Sequence, residues 1–363
     1  MSRLYFYIFI FLYSTALYYL ASTLPIGPNE AKVYYTDTSV LFYLTHFANG
    51  WFGNGLDFRL PFFFFGLLNI PLFFTMSKIY CSDIEQSYLA TTIFALLPGI
   101  ITASVIVNIA VVVITLVLGF IILHERKKRF EQIVIMFILL FIHDASIIFF
   151  IAVGIFFVHK RNKKLFILVL ILAGVSLLYF NGLDIGGKPK GKFLELFGLY
   201  VALFSPLIFM YFFYALYRIW LRESKDILWY ISFTSFILSI ILSIRQKIDM
   251  TDFAPYVIVS VVLMLVTYHK TVGVRLPQFQ KGYKLGYRIV MVSLILFSTV
   301  IIFHKLLFYI MDDKSKHFAY SFYEPYWIVR ELKEINQKCY TAKSQKIQFQ
   351  LKYYGVKECI NSE

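Results

Sequence analysis

A carboxylate can draw a proton from a hydroxyl or amine nucleophile, and Lys or Arg can hold a phosphate. Groups of both kinds gather in this chain between long apolar runs, and by topology they fall on one expected side. The first loop, 25–61, carries Asn29, Glu30, Asp37 and Arg59. His143 with Asp144 follows, then Asp184 with Lys188, Lys190 and Lys192, then Glu195, Arg245, Lys247, Asp249 and Asp252. Acids beside cations suit the activation of an acceptor while an anionic donor is held. Ionisable groups at the edge of an apolar span are costly unless they face a cavity or a partner. Plainer readings compete with this one. Arg59 before Pro61 suits an interfacial anchor, Asp249 and Asp252 suit solvated loop acids, and His143–Asp144 suits a hydrogen-bonded turn. The run GGKPKGK does not match a P-loop and reads equally as a flexible turn.

The elements that must position these groups are membrane spans. Of 363 residues 59% are hydrophobic, 20% aromatic and only 15% charged, and the mean hydropathy is +0.70. Soluble domains carry about a quarter charged residues, and apolar runs of about 20 residues are long enough to cross a bilayer. Spans are predicted at Leu4–Ser22, Phe62–Lys78, up to Pro98–Gly99, and on to Ile122. The apolar stretch Ile133–Val158 lies between HERKKRF and HKRNKK, two basic clusters that both read as inside loops. An even number of crossings must separate them, so His143–Asp144 is predicted to be an outer turn between two short helices. Leu165–Phe180, Phe193–Tyr217, Ile227–Ile244, Phe253–Thr267 and Ile289–Phe303 complete about eleven crossings. This predicts an all-α polytopic protein with a cytoplasmic N-terminus. The segment Met1–Thr23 lacks a small-residue cleavage site and reads as a retained first span. The net charge of +14 reports orientation, not nucleic acid, because the basic residues cluster in short loops.

After Asp312 the composition changes. Residues 312–363 read as a small extracytoplasmic α/β appendage attached to the transmembrane domain 1–311. EPYWIVRELKEINQK suits a helix with Pro325 early in it, and KIQFQ alternates in the manner of a strand. Cys81, Cys339 and Cys359 match no metal spacing. Cys339 and Cys359 fall on the outer side, where a disulfide between them would persist.

The order of these features resembles the GT-C superfamily of integral membrane glycosyltransferases, near the aminoarabinose transferase and protein O-mannosyltransferase group. In that family a large external loop follows the first span and opens with an Asp–Glu pair, the place held here by Asn29-Glu30-Ala31. It closes with Arg-x-Pro, matched by Arg59-Leu60-Pro61. FRLPFFFFGLLNIPLFFTMSKIY is similar to the family's second span, FALLPG to the end of its third, and SIRQKIDMTDFAPYVIVSVV to a later segment. The chain departs from the pattern at Asn29, at Asn108 where a second acid is absent, and at HDAS in place of a Lys-Gly-Pro turn. The resemblance covers residues 1–310. It implies transfer of a sugar from a polyprenyl-phosphate donor to an envelope glycan, lipid or protein at the outer face of the cytoplasmic membrane. It also implies Glu30, with Asp37 second, as the catalytic acid, and Arg59, Arg245 and Lys247 as contacts to the donor phosphate or holders of the loop. His143 and Asp144 join the donor- and substrate-binding candidates from their place on the outer side alone. No metal is expected, and the lipid-linked sugar is the only small molecule implied. An inactive scaffold of the same fold in envelope assembly and a lipid-linked sugar transporter or flippase stay open as alternatives.

Overall fold

The computed structural model describes residues 3–180 and 191–359. In chain order the helices are α1 (Arg3–Thr23), α2 (Pro28–Thr36), α3 (Val40–His46), α4 (Leu56–Tyr80), α5 (Ile84–Leu96), α6 (Pro98–Val105), α7 (Ile109–Glu125), α8 (Arg129–Ile142), α9 (Ser146–His159) and α10 (Lys163–Tyr179). They continue as α11 (Phe193–Phe204), α12 (Pro206–Arg222), α13 (Ile227–Ser243), α14 (Met250–Ile258), α15 (Val261–Val274), α16 (Pro277–Ile302), α17 (His304–Ile310), α18 (Tyr320–Glu334) and α19 (Gln345–Tyr353). Among the described residues the only β pairing is one isolated bridge between Cys339 and Lys357.

Among the described residues four stretches are long and apolar enough to cross a membrane: α1, α4, α16 and the α14–α15 run Met250–Val274. Two bent pairs, α5–α6 at 61° and α11–α12 at 106°, raise the number to six if each is one span. The bends have local causes. Leu97 is extended before Pro98, as the residue before a proline prefers. Ser205 takes a positive φ of 76° ahead of Pro206, the first residue of α12. The helices α7, α9 and α13 are apolar but shorter. The chain breaks at 143–145 between α8 and α9, where an apolar stretch too long for one comfortable span was expected to turn.

The chain forms two compact units. One comprises Met1–Phe11, Phe65–Ala103 and Ile109–Ser298; the other comprises Leu12–Phe64, Ser104–Asn108 and Thr299–Glu363. In the first unit α7 is buried on nearly every side, the pattern of an apolar helix enclosed by others. Buried Asn69 on α4 donates to the Val111 carbonyl and accepts from the Thr115 hydroxyl of α7, so its polar ends are satisfied. Phe73 and Phe94 stack with centroids 4.0 Å apart.

In the second unit the first loop is itself helical, forming α2 and α3, and α19 packs on α2. Ile26, Ala31 and Phe58 make a small core that Phe349, Tyr353 and Tyr354 cover. A second core joins Val329 and Leu332 of α18 to Leu351 and Val356. Here one expectation is corrected: KIQFQ is not a strand but lies inside α19, so the described C-terminal segment is helical rather than α/β. Its alternation is too short to outweigh Ile347, Gln350, Leu351 and Tyr354, whose spacing of three and four makes one helical face. Ser344 caps that helix by accepting from the Ile347 amide. Cys339 and Cys359 are joined by a disulfide.

Candidate functional site

Arg59 and Glu30 are the most deeply buried charged pair in the second unit, with side chains 0% and 3% exposed. Pro28 opens α2 with its fixed φ, which puts Glu30 in the first turn. Its Oε2 accepts from the Gly27 amide at 2.7 Å, the return half of a capping box, and its Oε1 accepts from the Val107 amide at 2.9 Å. Arg59, in the first turn of α4, reaches the same carboxylate through Nε at 2.8 Å and Nη2 at 2.5 Å. Its other N–H groups donate to the carbonyls of Ala21 and Leu24 (3.1 and 2.6 Å) and Pro25 (2.9 Å). Five donors thus meet five acceptors. The carbonyls at the end of α1, which no helical amide can satisfy, are closed by a cation at the negative end of the helix dipole. Gly55 admits this arrangement: a Cβ there would stand 3.0 Å from both the Ala21 carbonyl and Arg59 Nη1.

The remaining loop acids differ. Asp37 is half-buried and occupied by Ser39, whose amide and hydroxyl both donate to it at 2.8 Å. Asn29 points to the exterior. Glu30 as a general base would first require Arg59 to withdraw, because every strong acceptor direction is already filled.

A second constellation occupies one end of the first unit. The break between α8 and α9 carries His143 and Asp144, with His143 Nδ1 2.8 Å from Asp144 Oδ1. His143 Nε2 lies 3.8 Å from Asp252 Oδ1 in the first turn of α14. The turn is held to α14 by the buried Tyr256 hydroxyl, which donates to the Ala145 carbonyl at 3.3 Å. Burial alone would lower the imidazole pKa, but the hydrogen bond to Asp144 and the charges of Asp144, Asp252 and Asp249 outweigh it, so His143 lies above its ordinary 6.5. Asp144 is correspondingly held below the usual carboxylate range by the hydrogen bond from His143. One atom from each of His143, Asp144 and Asp252 falls within 4.8 Å of the others, and one imidazole with two carboxylates is a donor set that divalent ions accept.

Basic groups stand at the same end. The Gly191 and Lys192 amides donate to the Ile244 and Ser243 carbonyls, joining the start of α11 to the end of α13, one short connection before α14. Glu195 sits between Lys192 at 2.8 Å and Lys247 at 3.2 Å. Lys247 and Arg245 are exposed. Asp184, Lys188 and Lys190 lie outside the described residues. The groups expected to work together therefore occur as two sets, Glu30 with Arg59 in one unit and His143, Asp144 and Lys247 in the other. Asp252, which suited a solvated loop acid, is instead beside His143. The only sequence signal for that meeting is that both fall on the predicted outer side.

No family model matches the chain, no curated protein matches it, and no solved structure matches it.

Proposed function

We propose that this polytopic membrane protein is a glycosyltransferase that moves a sugar from a polyprenyl-phosphate donor to an acceptor hydroxyl or amine. It would work at the outer face of the cytoplasmic membrane, with the N-terminus inside and the C-terminus outside. Eleven crossings then require α7, α8, α9, α10 and α13 to count as short spans beside the six. The observation that carries the reading is the meeting of His143, Asp144 and Asp252 at the α8–α9 break, with Lys192, Glu195 and Lys247 grouped where the start of α11 joins the α13–α14 connection. Imidazole and carboxylate are groups that take a proton; ammonium groups offset a phosphate. The order of motifs shared with the GT-C superfamily supports the same class.

In the step proposed, the acceptor oxygen or nitrogen attacks the anomeric carbon and the bond from that carbon to the phosphate oxygen breaks. The acceptor proton passes to His143, which Asp144 and Asp252 orient. The polyprenyl phosphate leaves with its negative charge offset by Lys192, Lys247 and Arg245. Glu30 and Arg59 act as positioning residues that fix the first loop to the end of α1. The saturation of Glu30 favours one second reading, a GT-C-like scaffold without catalysis.

The test is transfer by the purified full chain from a panel of polyprenyl-phosphate sugars. Loss of a positioned acid–base group lowers rates by roughly 10²–10⁴-fold, and that fall is expected for His143→Ala and, through loss of its orientation, for Asp252→Asn. The wild-type rate should climb with pH through a value above 6.5, because the base must lose its proton to act. Variants as active as wild type would remove the proposed site. No turnover with any donor would leave the scaffold reading.

A further inference from the structure

The other end of the α14–α15 run carries a group of arginines that the proposed reaction does not use. Arg218 and Arg222 lie in the last turns of α12, and Arg275 follows α15. The three line a cavity of about 500 Å³. An apolar groove of about 470 Å³ lies between α12, α15 and α16, lined by Tyr211, Tyr268, Tyr283 and Tyr287 with Gly282 and Gly286. Arg275 joins the two spaces: its guanidinium stacks 3.6 Å from the Tyr283 ring centroid and donates to that hydroxyl at 2.5 Å.

Three observations give the groove a ligand. First, the charge is unbalanced. Glu223 is taken by Lys270 at 2.6 Å and lies 3.7 Å from Arg218, and Arg218 also donates to the Thr271 hydroxyl. Among the described residues Arg222 and Arg275 form no ion pair. Second, the buried hydroxyls of Tyr211 and Tyr287 have no hydrogen-bond partner, a state that costs free energy inside an apolar site. Third, a Cβ at Gly282 or Gly286 would touch nothing within 4 Å, so a clear track runs along α16. The most apolar 18-residue window of that helix, a candidate span, is only 11% buried, so the track leads from the basic end of α16 toward a helix face left uncovered by the rest of the protein.

We infer that this groove binds an anionic phospholipid of the surrounding bilayer. Its phosphate sits at Arg222 and Arg275, and one acyl chain lies over Gly282 and Gly286. The hydroxyls of Tyr211 and Tyr287 supply donors for the ester carbonyls. Basic pockets between spanning helices at the membrane boundary suit such headgroups, and a zwitterionic headgroup would leave the two cations without net compensation.

Native mass spectrometry of the full chain in mild detergent tests this with phosphatidylglycerol and phosphatidylcholine of identical chains. Phosphatidylglycerol should be retained at least about tenfold better. The Arg222→Gln/Arg275→Gln variant should lose that preference. Gly286→Leu, which fills the track and leaves every charge in place, should lower retention of both lipids. Equal retention of the two lipids, or undiminished phosphatidylglycerol binding by the double variant, would overturn the assignment. Competition by glycerol phosphate as strong as by the whole lipid would overturn the acyl track. If the double variant fails to fold, as judged by its thermal melt, Gly286→Leu and the lipid comparison decide the matter.

Discussion

One guanidinium at position 59 closes two helix ends at once, the carbonyls that finish α1 and the carboxylate that caps α2. Charges this deep are costly to bring out of water, and their value lies in not being separated: removing one partner of such a pair costs about 3–5 kcal/mol. Glu30→Gln is therefore expected to destabilise the loop by about that amount, because Arg59 would keep its charge without a counter-ion. The Glu30→Gln/Arg59→Met double variant should lose less than the sum of its parts, since it removes the uncompensated charge as well. Thermal unfolding of the purified variants measures both. A Glu30→Gln protein as stable as wild type but unable to transfer sugar would instead give Glu30 a direct chemical role. The letters Glu30 and Arg59 mark both residues as candidates for chemistry, and nothing in their types says that each will satisfy the other.

At the scale of elements, α18 and α19 show how a helix defect is used. Pro325 lies inside α18, where it cannot donate to the carbonyl four residues earlier. That carbonyl, of Ser321, accepts instead from Gln350 Nε2 at 3.0 Å, and the same amide group donates to the Ile26 carbonyl at 2.6 Å. One buried glutamine thus joins α18, α19 and the start of the first loop. The Tyr354 hydroxyl, accepting from the Ile26 amide at 3.2 Å, adds a second tie. Gln350→Leu leaves two carbonyls without donors at about 1–3 kcal/mol each. It should speed hydrogen exchange across Gln345–Tyr353, while α18 stays protected through its own helical bonds. Unchanged exchange in α19 would show that the aromatic core of Phe349 and Tyr353 holds it without the amide. The helix at Tyr320–Glu334 was expected from residue 324 onward; it begins one turn earlier, and Tyr323 in that added turn belongs to its buried face with Pro325, Val329 and Leu332.

For the whole molecule the open matter is how often the chain crosses. The helices α8 and α9 have 14 residues each, about 21 Å of rise against a hydrocarbon core of about 30 Å. Basic clusters flank them at 124–130 and 159–164. Charge then requires both flanks on one side of the membrane. In a Cys81→Ser background, Lys128→Cys and Lys163→Cys should react with an impermeant thiol reagent from the cytoplasmic side alone, and Asp144→Cys from the outside alone. Labelling of positions 128 and 163 from opposite sides would break the eleven-span topology. The reaction proposed here would lose its outer location with it.

Hydropathy and charge are local properties of the chain, so the sequence by itself determined that this is a helical membrane protein. It also determined that Ile133–Val158 must break near His143, and that the acids and cations sort into particular loops. The pairing of cysteines 339 and 359 was open in sequence and is closed in the fold. The tertiary structure alone decided which charges meet. Glu30 finds Arg59 across 29 positions, and His143 finds Asp252 through the packing of α9, α13 and α14. It likewise decided that KIQFQ is a helix, because five alternating letters carry less free energy than the face they bury against the first loop. Local pattern sets what each segment can be; burial against distant partners sets what its side chains do.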